Sequence, residues 1–503
     1  MMNRDNPYNS EEFNQDSILK NTLPLPQKNS ESRKLVRDLK EAVKLSGLED
    51  GMTISFHHHF RDGDHVVNMV LDLLSEMGFK NLGLNASSLT GGQKNLVKHI
   101  ESGLITRIEA SGIHGALGEY VSTGNMEMPV IFRSHGGRAY AIAKGEAKID
   151  VAFLGAPSSD AFGNALGYVK SENNDLMCGS LGYAMIDAMY AKKTIIITNN
   201  LVNYPNTPFS IPEHHVDYVV YTDKPVGNPS GIKSGTTRSN FNVREDLIGE
   251  KCAEIVEASG YLENGFSMQM GSGGASLAVA GYIRERMVKK DIKATFALGG
   301  ITAATVKMHE EGLIERLLDV QSFDLEAARS IKENKFHQEI SAIQYASIGN
   351  KSSAVEKLDF VVLSGLEVDV DFNVNALTGS DGLIMGALGG HPDTAAGASL
   401  TIIAIPLTRG RIPCVVNKVL TVVTPGNTVD VIVTDHGIAV NPLRKDLTAK
   451  LKDSGIKLTP IEELKYKAEK ITGKPKPIEF KEKIVGIVNY RDNSIIDRIK
   501  QVK

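Results

Sequence analysis

Short apolar runs alternate along the chain with longer segments in which apolar residues recur every three or four positions. The segment 65–78 has this helical spacing and ends at Gly78, a residue type common at helix C-termini. Strand-like runs that alternate with helical segments are typical of βαβ units around a mainly parallel sheet. In the first half of the chain, buried strands are predicted at 52–56, 130–132, 150–155, 193–200 and 217–223.

A second series of strand-like runs follows a break in the pattern. The segment 222–241 is rich in Gly, Pro, Ser and Thr and has no apolar period, so we interpret it as an interdomain connection. Strands of the second series are predicted at 265–271, 294–300, 359–365, 400–406 and 429–435. The predicted organisation is a polar N-terminal arm (1–45), a first domain (46–225), a linker (226–245) and a second domain with a C-terminal extension (246–503).

Two stretches of the chain align without gaps. KIDVAFLGAPSSDAFGNALG starts at Lys148 and KLDFVVLSGLEVDVDFNVNA starts at Lys357. Near-constant offsets along the two halves favour a duplicated domain over two α/β domains that share strand patterns by chance. Ligands bind beyond the carboxyl ends of strands in open α/β sheets, so we expect the two copies to form two walls of one cleft. The aligned pairs are Asp150 with Asp359, Asp160 with Asp369, and Asn164 with Asn373.

Composition narrows the class of protein. The chain has 503 residues, 42% of them hydrophobic and 23% charged, with a net charge of −4, which argues against a general nucleic-acid binder. Its three cysteines are widely spaced and form no C-x-x-C pair, which disfavours a disulfide framework or zinc ribbon and fits a reducing cytoplasm. No run approaches the roughly 20 apolar residues of a membrane helix, and the N-terminus lacks the apolar core of a secretory signal. We therefore expect a cytoplasmic protein with no membrane or nucleic-acid partner.

Three glycine-rich segments, at 270–280, 297–306 and 386–399, each lie between a predicted strand and a predicted helix. Glycine permits close backbone approach to a ligand, and amides at helix N-termini favour anions. The simpler interpretation is a set of tight turns without a ligand. None of the segments is a Walker A motif or the dinucleotide fingerprint G-x-G-x-x-G, so NAD is disfavoured.

The run ISFHHHFRDGDH (54–65) places three histidines after a strand. In an extended chain, His57 and His59 would share one face and His58 the other. A metal site lacks the usual carboxylate spacing and none is expected. Structural histidines remain an alternative. We favour an anion pocket with Arg61, because an arginine fork suits carboxylates. The segments SGIHGALGEY and IFRSHGGRAY add His114, Arg133, His135 and Arg138, as anion contacts or as solvated side chains.

At these residues the chain resembles the CoA-transferase superfamily, whose members have two similar α/β domains. The resemblance rests on DVAFLGAPSSDAFGN in the first half and on DFVVLSG, GALGGHPD and VDVIVTDHGIAV in the second, and it spans roughly residues 50–440. More closely, ISFHHHFRDGD, GSGGASLAVAGYI and IVGIVNYRDNSIIDRIKQV resemble the citrate lyase α-subunit family. The implied fold is a pair of duplicated, open, mainly parallel sheets flanked by helices.

This resemblance implies a CoA-transferase. The reaction would convert an acetyl thioester of an acyl carrier protein, or acetyl-CoA, and citrate into the citryl thioester and acetate. The thiol belongs to a dephospho-CoA-derived arm on the carrier (γ) subunit, and a separate β subunit cleaves the citryl thioester. The implied partners are therefore citrate, the acetyl thioester and the β and γ subunits in an oligomeric complex. No cofactor tightly bound to this chain is implied.

One departure from the superfamily affects the mechanism. Related CoA-transferases carry a nucleophilic glutamate in a turn after a strand, whereas the matching strand here runs into Gly299 and Gly300. The similar letters at 262–265 include Glu263 but precede the first strand of the domain. We therefore expect citrate itself to attack the acetyl thioester and form a mixed anhydride. The alternatives are a covalent transferase that uses Glu263 and a non-catalytic sugar-phosphate or nucleotide-binding module.

The predicted site has three groups of residues. Backbone amides of Gly299, Gly300 and Ile301 are expected to stabilise the oxyanion. Citrate is expected at His57, His58, His59, Arg61 and Arg133. The thioester arm is expected at Gly271, Ser272, Gly273, Gly274, Asn164, Arg138, Asn373, Gly389 and Gly390.

Overall fold

A computed structural model describes residues 34–93, 95–171, 174–232, 242–271 and 274–503. Most of the predicted arm, the middle of the predicted linker, and Ser272 and Gly273 of the predicted thioester site lie outside the described residues. No helix in these ranges is both long enough and apolar enough to cross a membrane.

The first half of the chain builds one large, mainly parallel sheet, as the strand pattern predicts. Its strands are nearly continuous apolar runs, because helices cover both faces of a parallel sheet. The strands in chain order are β1 (Leu35–Val36), β2 (Thr53–Phe56), β3 (Leu82–Ala86), β4 (Ile105–Ala110), β5 (Val130–Arg133), β6 (Val151–Gly155), β7 (Ser158–Asp160), β8 (Ala165–Leu166), β9 (Lys193–Thr198), β10 (Leu201–Val202) and β11 (Tyr218–Tyr221). The order across the sheet is β1-β11-β9-β6-β2-β3-β4-β5, and β10-β7-β8 form a small separate sheet.

The second half repeats this arrangement. Its strands are β12 (Phe266–Met270), β13 (Ala294–Ile301), β14 (Ile314–Ser322), β15 (His337–Glu339), β16 (Phe360–Leu363), β17 (Glu367–Asp369), β18 (Val374–Asn375), β19 (Leu400–Ala404), β20 (Thr408–Arg409), β21 (Ile412–Pro413), β22 (Val415–Val416), β23 (Val431–Thr434) and β24 (Gly437–Val440). The large sheet has the order β15-β14-β13-β12-β16-β19-β23-β24. In both halves a central strand, β2 or β12, has the next three strands of the chain on one side and later strands on the other, and in the first half β1 adds to the outer edge beside β11.

Helices pack beside both sheets. In the first half they are α1 (Leu39–Ser46), α2 (Val66–Glu76), α3 (Leu96–Glu101), α4 (Ala116–Ser122), α5 (His135–Lys144) and α6 (Gly182–Tyr190). In the second half they are α7 (Val243–Ser259), α8 (Gly274–Lys290), α9 (Ala303–Glu310), α10 (Leu325–Glu333), α11 (Ala342–Ala346), α12 (His391–Gly397), α13 (Lys445–Asp453) and α14 (Ile461–Thr472). Short 3₁₀ turns lie at Arg61–Gly63, Glu213–His215, Pro229–Ile232, Ala354–Lys357 and Gly426–Thr428.

The aligned aspartates have matching contacts in the two halves. Asp150 accepts a hydrogen bond from the backbone N–H of Thr53 at 2.8 Å, and Asp359 accepts one from the N–H of Ser267 at 2.8 Å. Each carboxylate thereby ties the start of its own strand to the start of the central strand. The same contact in both copies supports the duplication that the sequence indicates.

The C-terminal segment leaves the second half and joins the first. Strands β25 (Phe480–Asn489) and β26 (Ile495–Val502) form an antiparallel hairpin, and β25 pairs in parallel with β5. The sequence-based boundary assigned this segment to the second domain as an extension. In the structure it belongs to the first sheet instead. Without the hairpin, β5 would leave a row of unpaired backbone groups at the sheet edge, and pairing with β25 satisfies them.

Candidate active site

The histidine run follows β2 at the carboxyl edge of the first sheet. Strand β2 lies between β3 and β6, so the three histidines start at the centre of the sheet. Their exposed fractions are only 5% for His57, 6% for His58 and 0% for His59. A loop that begins at the centre of a parallel sheet is where this architecture places ligands.

Each histidine has a defined set of neighbours. The Nε2–H of His57 donates to the carbonyl oxygen of Gly155 at 2.8 Å, and Nδ1 of His58 lies 2.6 Å from Oγ of Ser87. Nε2 of His59 accepts from the backbone N–H of Tyr183 at 3.3 Å. Nδ1 of His59 is buried with no hydrogen-bond partner among the described residues.

Four aromatic rings pack together at this edge. The ring of Tyr183, on α6, stacks on His58 and on His59 with centroid distances of 5.3 Å in both cases. The ring of His135, at the start of α5, lies 4.1 Å from Tyr183 and 5.9 Å from His58. We call His57, His58, His59, His135 and Tyr183 the histidine cluster.

Burial makes the histidines neutral. Burial is the largest cause and the nearby Arg138 guanidinium adds to it, and together they lower the pKa of His57 to about 4 and the pKa of His135 to about 3. Burial also lowers the pKa values of His58 and His59 well below the ordinary value. At neutral pH the cluster therefore offers hydrogen-bond donors and acceptors rather than positive charge.

Arg61 supplies a positive charge next to the cluster. It starts the 3₁₀ turn with a left-handed φ of 52°. Its guanidinium lies over the ring of Phe323, 5.0 Å from the centroid, and burial lowers its pKa. An arginine remains charged in proteins, so Arg61 places a positive charge beside the histidine cluster.

The second half closes the site from the other side. Nε2 of Gln321 donates to the carbonyl oxygen of His58 at 3.3 Å, and Phe323 lies under Arg61. Gln321 is the next-to-last residue of β14, and Phe323 directly follows the strand. The two carboxyl edges therefore meet at the histidine cluster, which is the two-walled arrangement that the sequence predicts.

Gly299 and Gly300 lie at the carboxyl end of β13, where the ladder with β14 shifts its register. Gly299 has a left-handed φ of 98°, and a Cβ there would meet the side chain of Gln269 at 2.7 Å. A Cβ at Gly300 would overlap the ring of Phe323. At this strand end, matched above to the glutamate turn of related transferases, a side chain at Gly300 would overlap Phe323 and one at Gly299 would require the Gln269 side chain to move.

The Gly389–Gly390 turn also reaches the cluster. The carbonyl oxygen of Gly389 accepts from the backbone N–H of His135 at 2.8 Å. A Cβ at Gly390 would lie within 3.0 Å of Tyr345, whose hydroxyl is 3.1 Å from Nε2 of Gln269. The structure thus brings together three of the predicted groups: the histidine–Arg61 loop, Gly299–Ile301 and Gly389–Gly390.

Asn164 and Asn373 lie in matching turns. Nδ2 of Asn164 donates to Asp160 at 2.9 Å, and its Oδ1 accepts from the backbone N–H of Glu213 at 2.9 Å. Asn373 likewise donates to Asp369 at 3.2 Å and accepts from the N–H of Gly426 at 2.9 Å. These side chains hold the fold of two equivalent loops, which explains the aligned Asp and Asn of the repeat.

Arg133 and Arg138 are engaged inside the first half. Arg138 forms a buried fork with Asp187, at 2.7 and 2.9 Å, and its Nε donates to Asn85 at 2.7 Å. Nε of Arg133 donates to Glu109 at 3.0 Å. Arg138 therefore lies behind the histidines and acts on them through its charge, and Arg133 contacts the C-terminal hairpin through Asn493.

Gly271 and Gly274 lie on either side of the undescribed pair 272–273, next to β16 and α7. The N–H of Gly271 donates to the carbonyl oxygen of Val362 at 2.8 Å, and a Cβ at Gly274 would meet Glu245 at 2.5 Å.

Glu263 lies at the other edge of the second sheet. It is exposed and precedes β12, in a shallow cavity of about 300 Å³ lined by 260–261, 263–266 and Asp359. The five residues of β12 separate the two edges by roughly 15 Å. A carboxylate in that position is remote from the histidine cluster.

Several residues of the site carried no assigned role from the sequence. They are Tyr183 on α6, Gln321 on β14, Phe323 directly after β14, and Tyr345 on α11, which contacts Gln269. Strand β14 was not predicted because its charged residues interrupt the apolar run. The motif SHGGR around His135 was the sequence feature that pointed to this part of the site.

No group of three or more His, Cys, Asp or Glu in the described ranges is arranged to hold a metal ion.

Comparisons with known proteins identify the family. A family model described as citrate lyase, alpha subunit, matches residues 32–502. The citrate lyase alpha chain of Klebsiella pneumoniae is 55% identical over 471 residues, which cover 94% of this chain and 92% of that protein. The crystal structure of an alpha subunit of citrate lyase from Streptococcus mutans in complex with citrate has a TM-score of 0.92 and 52% identity, and covers 95% of this chain and 93% of that chain.

A more distant structure shows the fold alone. The 4-hydroxybutyrate CoA-transferase of Porphyromonas gingivalis is 16% identical, with a TM-score of 0.54 and coverage of 87% of this chain and 97% of that chain. The duplicated α/β architecture is therefore that of the CoA-transferases. With the family model spanning both halves and the C-terminal hairpin, the chain belongs to the citrate lyase alpha subunit family.

Proposed function

We propose that this chain transfers the thiol carrier of an acetyl thioester to citrate, giving a citryl thioester and acetate. The observation that carries the proposal is the meeting of both carboxyl edges at one cluster of neutral histidines, where Arg61 lies over Phe323 and Phe323 packs against Gly300 at the end of β13. The relative from Streptococcus mutans, a complex with citrate, supports citrate as the acceptor.

In this proposal the site binds citrate through one cation and several neutral donors. Citrate is close to a trianion at neutral pH, and the Arg61 guanidinium can form two parallel hydrogen bonds with one carboxylate. Neutral histidines orient the other carboxylates without a charge. Among the described residues, Nδ1 of His59 and Nδ1 of His135 are buried without a hydrogen-bond partner, and we propose them for such contacts.

The chemistry proceeds in two displacements. A citrate carboxylate oxygen attacks the thioester carbonyl, a C–O bond forms, and the C–S bond breaks to release the thiolate and leave a citryl–acetyl anhydride. The thiolate then attacks the citryl carbonyl, and the C–O bond breaks to release acetate. Both steps pass through a tetrahedral oxyanion, for which we propose the Gly299–Ile301 backbone as the donor.

An enzyme carboxylate is not needed on this route. A side chain at Gly300 would overlap Phe323, and Glu263 lies at the opposite edge of the sheet. Holding citrate and the thioester together converts the first attack into an effectively unimolecular step, which is worth several kcal/mol of the barrier. The carrier subunit's arm or acetyl-CoA is the proposed thioester, and the carrier and lyase subunits are the proposed partners.

The test is the steady-state rate pattern of the purified chain with citrate and acetyl-CoA. A ternary-complex route gives intersecting double-reciprocal lines, whereas a covalent glutamyl intermediate gives the parallel lines of ping-pong kinetics. We expect intersecting lines and no ¹⁴C-acetate exchange into acetyl-CoA when citrate is omitted. Parallel lines, with activity abolished in Glu263→Gln, would establish the covalent alternative. Absence of any transfer with folded protein would refute the enzyme proposal.

A further inference from the structure

The first turn of α5 is joined to the second half by a carboxylate. Oδ1 of Asp393 accepts from the hydroxyl of Ser134 at 2.8 Å, and Oδ2 accepts from the backbone N–H of Gly136 at 2.8 Å. Ser134 is itself the N-cap of α5 and accepts from the N–H of Gly137 at 3.0 Å. The side chain that caps this helix is therefore hydrogen-bonded to a residue 259 positions away in the sequence.

His135 lies between the two groups that this carboxylate holds. Its backbone N–H donates to Gly389 in the turn just before Asp393, so the segment 389–393 contacts three successive residues, 134–136. The ring of His135 extends into the histidine cluster, 4.1 Å from Tyr183. The position of this ring is thus set by the contacts on both sides of its backbone.

The C-terminal hairpin completes the contact. Nε of Arg491, in the turn between β25 and β26, lies 3.8 Å from Oδ1 of Asp393, and its Nη2 donates to Glu356 at 2.7 Å. A Cβ at Gly137 would lie 3.3 Å from Cα of Arg491. Three distant parts of the chain therefore converge on one helical turn.

We propose that Asp393 is a positioning residue for the transfer reaction: its buried carboxylate, backed by Arg491, fixes the first turn of α5 and with it the His135 ring in the histidine cluster. This inference rests on the proposed function of the cluster. Reacting groups must be held closely, and a displacement of about 1 Å can cost on the order of a hundredfold in rate.

The charge of Asp393 responds to pH in the range where the enzyme can be assayed. Its pKa is raised to about 6, mainly by burial and also by Glu356 on the 3₁₀ turn, against the lowering effect of Arg491 on the hairpin and of the hydrogen bonds from Gly136 and Ser134. Tyr345 on α11 and Tyr490 on the hairpin also face it. Protonation leaves one acceptor oxygen for the N–H of Gly136 and turns the other oxygen into a donor to the Ser134 hydroxyl, and both contacts lose the charge of the carboxylate that strengthens them. Acid therefore weakens the contact.

The test is Asp393→Asn, which keeps the shape but replaces one acceptor oxygen by a donor. Asp430→Asn is the matched control, because Asp430 makes the same kinds of contact at the far edge of the second sheet. Its Oδ1 accepts from Nη1 of Arg444 at 2.6 Å, and its Oδ2 accepts from the backbone N–H of Thr401 at 2.7 Å. We expect wild-type kcat to fall below pH 6. Asp393→Asn should have a kcat about ten- to a hundredfold lower that is flat between pH 5.5 and 8. Asp430→Asn should retain the wild-type profile.

A second variant and a structural readout complete the experiment. Ser134→Ala retains the carboxylate and removes one donor, so its kcat should fall less, and its effect should not add to that of Asp393→Asn. A crystal structure of Asp393→Asn should show the His135 ring displaced from Tyr183. An unchanged ring position, or an acidic limb that persists in Asp393→Asn, would overturn the positioning role. An inactive wild-type chain would instead count against the proposed function.

Discussion

Gly136, which follows His135, can be compared with a second helical glycine, Gly281. We predict that an alanine substitution changes the stability of the protein in opposite directions at these two positions. Gly136 is in the first turn of α5 and Gly281 is in α8, and both have helical backbone. Glycine in a helix is about 0.5–1 kcal/mol less stable than alanine, because it loses more backbone entropy on folding. Helix propensity alone therefore predicts that alanine stabilises the protein at both positions.

The surroundings differ completely. A Cβ at Gly136 would lie 2.6 Å from Oδ1 of Asp393 and 2.8 Å from the carbonyl carbon of Ala346, and the latter is backbone that cannot rotate away. A Cβ at Gly281 meets no atom within 4 Å. Overpacking costs about 1–3 kcal/mol, which exceeds the helix gain. Gly136→Ala should therefore destabilise the protein, and Gly281→Ala should stabilise it by about 0.5–1 kcal/mol.

The measurement is the midpoint of thermal unfolding for the two variants and the wild type under one set of conditions. One kcal/mol corresponds to about 2–4 °C for a domain of 150–250 residues, so the midpoints should move in opposite directions by a few degrees. Gly136→Ala should also lose transfer activity, because the clash displaces the turn that carries His135. Equal stabilisation by both alanines would refute the close contact between α5 and the second half.

Three further outcomes are expected. Arg61→Lys should raise the citrate concentration required for half-maximal rate by roughly ten- to a hundredfold, because lysine cannot form the two parallel hydrogen bonds to a carboxylate. The acetyl-CoA concentration required should change little, and an equal change for both substrates would contradict this prediction. His135→Gln should reduce the loss of stability between pH 7.5 and pH 5 by about 2 kcal/mol, measured by denaturant unfolding. Its folded pKa is lowered to about 3, so the unfolded state binds the extra proton as the pH falls below 6.5; an unchanged loss would show that His135 does not titrate this way. Asn164→Ala and Asn373→Ala should each lower the free energy of unfolding by about 1–3 kcal/mol without changing the KM for acetyl-CoA. A raised KM would show that these residues contact the thioester.

Much of the fold could be predicted because its signal is local. The apolar runs at 52–56 and 359–365 contain β2 and β16 as predicted, since a buried parallel strand needs apolar side chains on both faces. Strands β4 and β14 were missed, because charged residues interrupt their apolar runs and their pairing is fixed by neighbouring strands. The duplication could also be inferred from sequence, since equal folds need equal turn residues at equal spacing.

The α/β class, the repeat, the glycine pair on β13 and the histidine loop beside Arg61 follow from the order of residues along the chain. The tertiary structure sets the charge of the histidines, because burial by both halves lowers their pKa values. It also decided that the C-terminal hairpin completes the first sheet and that Ser134, Asp393 and Arg491 meet at one helical turn. Periodicity reports which face of a segment is buried, whereas contacts between residues hundreds of positions apart depend on how the two sheets pack.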